Sequence, residues 1–118
     1  MKKIACCFLS LLCLSLTSQL CAQISDGFDI FRGDANNNGF VETSDATFIN
    51  SYLFSGGPAP PCMDQADAND DGQVDISDSI YLLNYLQQGG PAPPAPFPNC
   101  GKDPTSDSLG CNDSWCSN

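Results

Sequence analysis

The chain has 118 residues, which bounds it to one domain or less. Its 14 Asp and Glu stand against 4 Lys and Arg, and no basic stripe exists, so nucleic acid is not an expected partner. There is no His, which removes the commonest acid–base catalyst and the commonest nitrogen ligand for zinc.

Residues 1–22 read as a secretory signal peptide. Lys2 and Lys3 form the charged start. Ile4 to Leu20 is mostly apolar but is interrupted by Ser10, Ser15, Thr17, Ser18 and Gln19, which is too polar at its end for a membrane span. Cleavage is expected after Ala22. A lipoprotein signal with Cys21 as the modified residue is the alternative, but Leu20 is bulky for the position before such a cysteine. The expected mature chain is exported to the extracellular space or cell surface, with no membrane span. Cleavage removes Cys6, Cys7, Cys13 and Cys21 and leaves Cys62, Cys100, Cys111 and Cys116. An even cysteine set in an oxidising compartment reads as two disulfides. Zinc is the weaker reading, because no C-x-x-C pair is present in the set. Cys62–Cys100 and Cys111–Cys116 are the favoured pairs.

Residues 23–33 are a short lead-in, with Phe28, Ile30 and Phe31 expected to pack on the first of two acidic loops. Arg32-Gly33-Asp34 spells an adhesion tripeptide. Asp34, however, opens that loop, which needs its carboxylate turned inward.

The loop is Asp34-Ala35-Asn36-Asn37-Asn38-Gly39-Phe40-Val41-Glu42-Thr43-Ser44-Asp45. Oxygen side chains fall at positions 1, 3, 5, 9 and 12: Asp34, Asn36, Asn38, Glu42 and Asp45. Phe40, at position 7, would offer its backbone carbonyl. Gly39, at position 6, suits a sharp turn. This is the ligand rhythm that EF-hand loops use to wrap hard oxygen donors around calcium. The usual motif ends in Glu; here position 12 is Asp45, one methylene shorter.

A helix over about 45–54 is expected next, with Ser44 as its N-cap and Ala46, Ile49, Tyr52 and Leu53 on one face. Gly56 closes it, and Gly56-Gly57-Pro58-Ala59-Pro60-Pro61 reads as an extended connector.

The same pattern then recurs. Asp67-Ala68-Asn69-Asp70-Asp71-Gly72-Gln73-Val74-Asp75-Ile76-Ser77-Asp78 places Asp67, Asn69, Asp71, Asp75 and Asp78 at the ligand positions, with Gln73 at position 7 and Val74 as the apolar residue tucked into a core. A second helix is expected over about 78–87, with Ser77 as its cap and Leu82, Leu83, Tyr85 and Leu86 inward. It ends in Gly89-Gly90-Pro91-Ala92-Pro93-Pro94, again a connector. One such loop alone is also an Asn/Asp-rich turn; two copies with shared spacing and flanks predict two calcium ions. Much of the surplus acid lies in these loops, where bound cations offset it.

Residues 100–118 form a short polar tail holding Cys100, Cys111, Trp115 and Cys116. Asn112-Asp113-Ser114 matches a glycosylation acceptor, a tripeptide common by chance.

The expected organisation is thus a signal peptide over 1–22, a calcium module over 23–99 with repeats at about 34–61 and 67–94, and a cysteine-containing tail over 100–118. The fold class is small all-α: two EF-hand-like loop–helix units with a disulfide-bearing C-terminal tail. Loop then single helix, twice, with Asp at position 12 preceded by Ser, resembles the type I dockerin repeat over about residues 31–94. The resemblance implies a calcium-dependent module that docks to a cohesin-like domain on a scaffold or cell surface, often in assemblies linked to polysaccharide degradation. It also implies a partner surface at loop positions 10 and 11, here Thr43-Ser44 and Ile76-Ser77. Ile76 departs from the family's usual polar pair, and the basic residues that often follow on the helix are absent.

The alternative is a calcium-stabilised structural, matrix or surface module without a cohesin partner. An enzyme is not expected, since the cysteines are read as paired and the carboxylates as metal ligands. A calcium sensor is not expected either: Met1 and Met63 are the only methionines and neither falls on a predicted helix, whereas sensors open a Met-rich groove.

Overall fold

The computed structural model describes residues 28–112, 114 and 116. The expected signal peptide, Asp113 of the acceptor tripeptide and Trp115 lie outside the described residues.

Three helices appear among the described residues: α1 (Thr43–Phe54), α2 (Met63–Ala66) and α3 (Ile76–Gln88). The two long helices start two residues earlier than the sequence suggests. The reason is local. Glu42 and Asp75, at loop position 9, take extended backbone and serve as N-caps, and the Asp three residues on turns its side chain back onto the cap N–H. Asp75 Oδ1 also accepts from the Ser77 N–H at 2.8 Å. Ser44 and Ser77 are therefore not the caps. Their hydroxyls donate instead to Glu42 and Asp75. The short helix α2, which contains Met63, was not expected from the sequence.

The left-handed turns that shape the loops also repeat. Gly39 and Gly72 stand at φ +91° and +85°, and Asn37 and Asp70 at +60° and +58°. Glycine takes this conformation freely, and Asn and Asp are the side chains that tolerate it best. Gly89 ends α3 in the left-handed conformation, as expected.

The core is small and built from equivalent positions of the repeat. Ala35 pairs with Ala68 in this sense, Ile49 with Leu82, and Ala46 and Ala66 complete the buried set. Val41 and Val74, each at loop position 8, and Phe48 and Tyr81 pack around it. Helices α1 and α3 pack on one another across this core. Tyr52 and Tyr85 are half-buried outside the core cluster, and Tyr85 meets the Phe97 ring of the C-terminal return.

The lead-in packs on the C-terminal return, whereas the sequence points to the first loop. Ile30 is buried in an antiparallel bridge with Gly101, exchanging bonds of 2.7 and 3.1 Å. Phe31 stacks on Phe97, whose ring also meets Tyr85 edge-on. Phe28 is half exposed. The second proline segment is thus a packed element and not a free connector: Ala92 O accepts from the Tyr81 hydroxyl and Ala95 O from Arg32 Nε.

The disulfides are Cys62–Cys111 and Cys100–Cys116, not the favoured pairs. The tail returns antiparallel past the connector, with Met63 N donating to Gly110 O and Asn112 N to Pro61 O. That register sets Cys111 opposite Cys62 and carries Cys116 back to Cys100. Sequence spacing favours near neighbours and cannot see the return.

Candidate metal centres

The two loops share a framework of backbone-to-side-chain hydrogen bonds at equivalent positions. Asp34 accepts from Asn38 N at 3.0 Å and Gly39 N at 2.8 Å; Asp67 accepts from Asp71 N at 3.1 Å and Gly72 N at 2.9 Å. Asp45 accepts from Asn36 N at 3.2 Å and Glu42 N at 2.8 Å; Asp78 accepts from Asn69 N at 3.3 Å and Asp75 N at 2.8 Å. At positions 3 and 5, Asn36 and Asn69 accept from the N–H of residue 5, and Asn38 and Asp71 accept from that of residue 7. The first and last carboxylates of each loop are thereby drawn together around one concave turn.

All four of those carboxylates, Asp34, Asp45, Asp67 and Asp78, are fully buried. Burial pushes Asp45 up to about 7 and Asp78 up to about 7, and it raises Asp67 as well. Neighbouring carboxylates add to the rise: Asp34 beside Asp45, and Asp67 and Asp71 beside Asp78. Carboxyl oxygens of Asp67, Asp71 and Asp78 lie within 4.8 Å of one another. In loop one the same space holds Asn38 where Asp71 stands, and its amide donates to Glu42 at 3.1 Å.

The chemistry of this donor set fits calcium. It is all oxygen, it mixes carboxylates with amides, and its buried anions are converged, which is costly unless a cation neutralises them. Asp34, Asn36, Asn38, Glu42 and Asp45 would hold one ion with the Phe40 carbonyl, and Asp67, Asn69, Asp71, Asp75 and Asp78 another with the Gln73 carbonyl. The Phe40 side chain is exposed, in keeping with a role for its backbone alone.

Thr43 and Ser44 lie exposed at the start of α1, beside a shallow depression lined by Asn36, Thr47, Phe48 and Ser51. Ile76 is half exposed at the start of α3, with Ile80 one turn on, and Ser77 is partly covered. The two halves therefore offer different faces, one hydroxyl-rich and one apolar.

Two residues central to the site were not legible in the sequence: Arg32 and Gln65, both fully buried. Arg32 is held by carbonyls of Asp64, Asp67 and Ala95 and by the Asp103 carboxylate at 2.7 Å. This buries the basic end of the adhesion tripeptide. Gln65 accepts from Phe31 N at 3.0 Å and the Ser114 hydroxyl at 2.8 Å. The 33-residue repeat places these two at equivalent positions, a signal that was available but hidden by their different chemistry. A further acid cluster, Asp64, Asp103 and Asp107, forms only where the tail crosses α2.

A family model described as the dockerin type I domain matches residues 32–87, which spans both loops, α1 and all but the last residue of α3, and bears out the resemblance. No curated protein and no solved structure matches the chain.

Proposed function

We propose that the dockerin-type segment, residues 32–87, makes this chain a calcium-dependent docking module. Dockerin domains in general bind calcium and dock to cohesins. The observation that carries the reading here is that in both loops the first and last carboxylates are buried and accept from the same four backbone positions. Two EF-hand-like loops with all-oxygen donors call for two calcium ions. Each ion would neutralise its own buried acid and fix the start of α1 or α3, so calcium would hold the faces that meet a partner. The partner is a cohesin-like domain, outside the cell or at its surface. Any link to polysaccharide degradation comes through that partner. Among the described residues, no helix is long and apolar enough to cross a membrane.

A second reading is favoured by one feature. No basic residue lies on α1 or α3, and Arg32 and Lys102 are the only cationic side chains among the described residues. A module without a cohesin partner, stabilised by calcium and serving a matrix or surface, would also show this. Affinity capture from a native secretome, in calcium and again in chelator, separates the readings. A cohesin-type partner retained only in calcium supports docking. No retained partner in either condition supports the structural module.

A further inference from the structure

The opening turn of each loop is held by a side chain from the other unit. Gln65 Nε2, just upstream of loop two, donates to the Asp34 carbonyl at 2.9 Å and to Asn37 Oδ1 at 3.1 Å in loop one. Arg32, just upstream of loop one, does the same in reverse. Its Nη1 donates to the Asp67 carbonyl at 2.8 Å, and its Nη2 lies 3.3 Å from Asp70 Oδ1, both in loop two. Asp34 and Asp67 are first in their loops; Asn37 and Asp70 are fourth, both left-handed. The contacts thus form a crossed pair with matched chemistry, guanidinium to carboxylate on one side and amide to amide on the other.

The turn so gripped carries the ligands at positions 1, 3 and 5. A turn already fixed loses less conformational freedom when an ion arrives, so the gripping residue raises affinity by preorganisation. The grip also runs both ways. Ordering loop one fixes the acceptors of Gln65, which leads through Ala66 into Asp67; ordering loop two fixes the acceptors of Arg32, which leads through Gly33 into Asp34. Coupling of this kind is reciprocal by linkage.

We propose that Gln65 is the positioning residue of the first calcium loop and Arg32 that of the second, each reaching across from the other unit. This rests on the calcium reading above. The Gly39 and Gly72 amides each donate within their own loop, to Asp34 at 2.8 Å and Asp67 at 2.9 Å, so their NMR resonances follow the two sites separately. The full chain, stripped by chelator, is titrated with calcium chloride. In Gln65→Met the midpoint at Gly39 should rise about tenfold relative to that at Gly72, the scale of a lost buried hydrogen bond. In Arg32→Lys, which keeps the charge but loses the fork, Gly72 should be the amide displaced. The second variant carries the test if the first does not fold. A residue that only supports the fold moves both midpoints by one factor, and a local role moves the adjacent loop; either result overturns the crossed assignment while leaving calcium binding intact. If neither amide of the unsubstituted chain responds to calcium, the calcium reading itself fails.

Discussion

Phe97 lies flat against Phe31, with ring centroids 5.7 Å apart and planes 9° from parallel. The contact joins the segment that leads into loop one to the proline segment that follows α3. With the Ile30–Gly101 bridge beside it, it closes the two ends of the module onto each other.

Phe97→Ala should therefore lower the unfolding free energy by about 2 kcal/mol, less than a fully buried ring would because Phe97 is only half covered. Urea unfolding in saturating calcium measures it. A loss within a few tenths of zero would mean that the segment is a connector after all.

The two disulfides should contribute unequally. Cys62–Cys111 spans 49 residues and Cys100–Cys116 spans 16. By loop entropy the first is worth about 4 kcal/mol and the second about 3. Replacing Cys62 and Cys111 together by Ala should cost more in urea than replacing Cys100 and Cys116. Peptide mapping of the oxidised chain should recover these two pairs and not Cys62 with Cys100.

What the sequence made legible was whatever repeats. Loop positions, the left-handed glycines, Val74 against the core and the Ile49–Leu82 equivalence all follow from a 33-residue period and the geometry of an oxygen-lined loop. Helix starts were missed by two residues because capping went to the acid at position 9 rather than to Ser44 or Ser77. The rest depends on long-range returns. The packing of Phe31, the cysteine pairing and the burial of Arg32 are all set by how residues 91–116 fold back, and that path leaves no periodic trace. Gln65 was overlooked because a lone Gln carries no pattern; only its equivalence to Arg32 marks it.

The buried carboxyls give the metal-free chain a defined pH response. Asp45 and Asp78 stand at about 7 in the folded chain against an ordinary 3.8. Raised values favour the folded state when the groups are protonated. Their contribution is thus fully present below about pH 4 and is lost as pH rises towards 7. Melting in chelator should show stability falling across that window. Calcium should reverse the trend, since it binds the ionised form: its stabilising effect should grow from pH 5 to pH 7.5. A calcium effect independent of pH would contradict the assignment of these carboxylates as ligands.

Ligand charge should rank the two sites. Loop two offers Asp67, Asp71, Asp75 and Asp78, whereas loop one offers Asp34, Glu42 and Asp45 with Asn38 at the place of Asp71. Charge count tunes affinity in such loops, so the second site should be the tighter. Asp71→Asn should weaken it about tenfold and bring the two sites together, and Asn38→Asp should strengthen the first. Calorimetry on each variant decides; if Asp78→Ala removes only the weaker binding event, the ranking is wrong.

The coupling of calcium to the fold is tested most directly by titrating the chelated chain with calcium while recording heat and the far-ultraviolet circular dichroism. With so small a core and four buried carboxylates, α1 and α3 should be only partly formed without the ion at neutral pH. Uptake of two ions per chain should accompany a sharp rise in helical signal. No calcium uptake, or a helical spectrum and melting temperature that are the same in excess chelator, would contradict it.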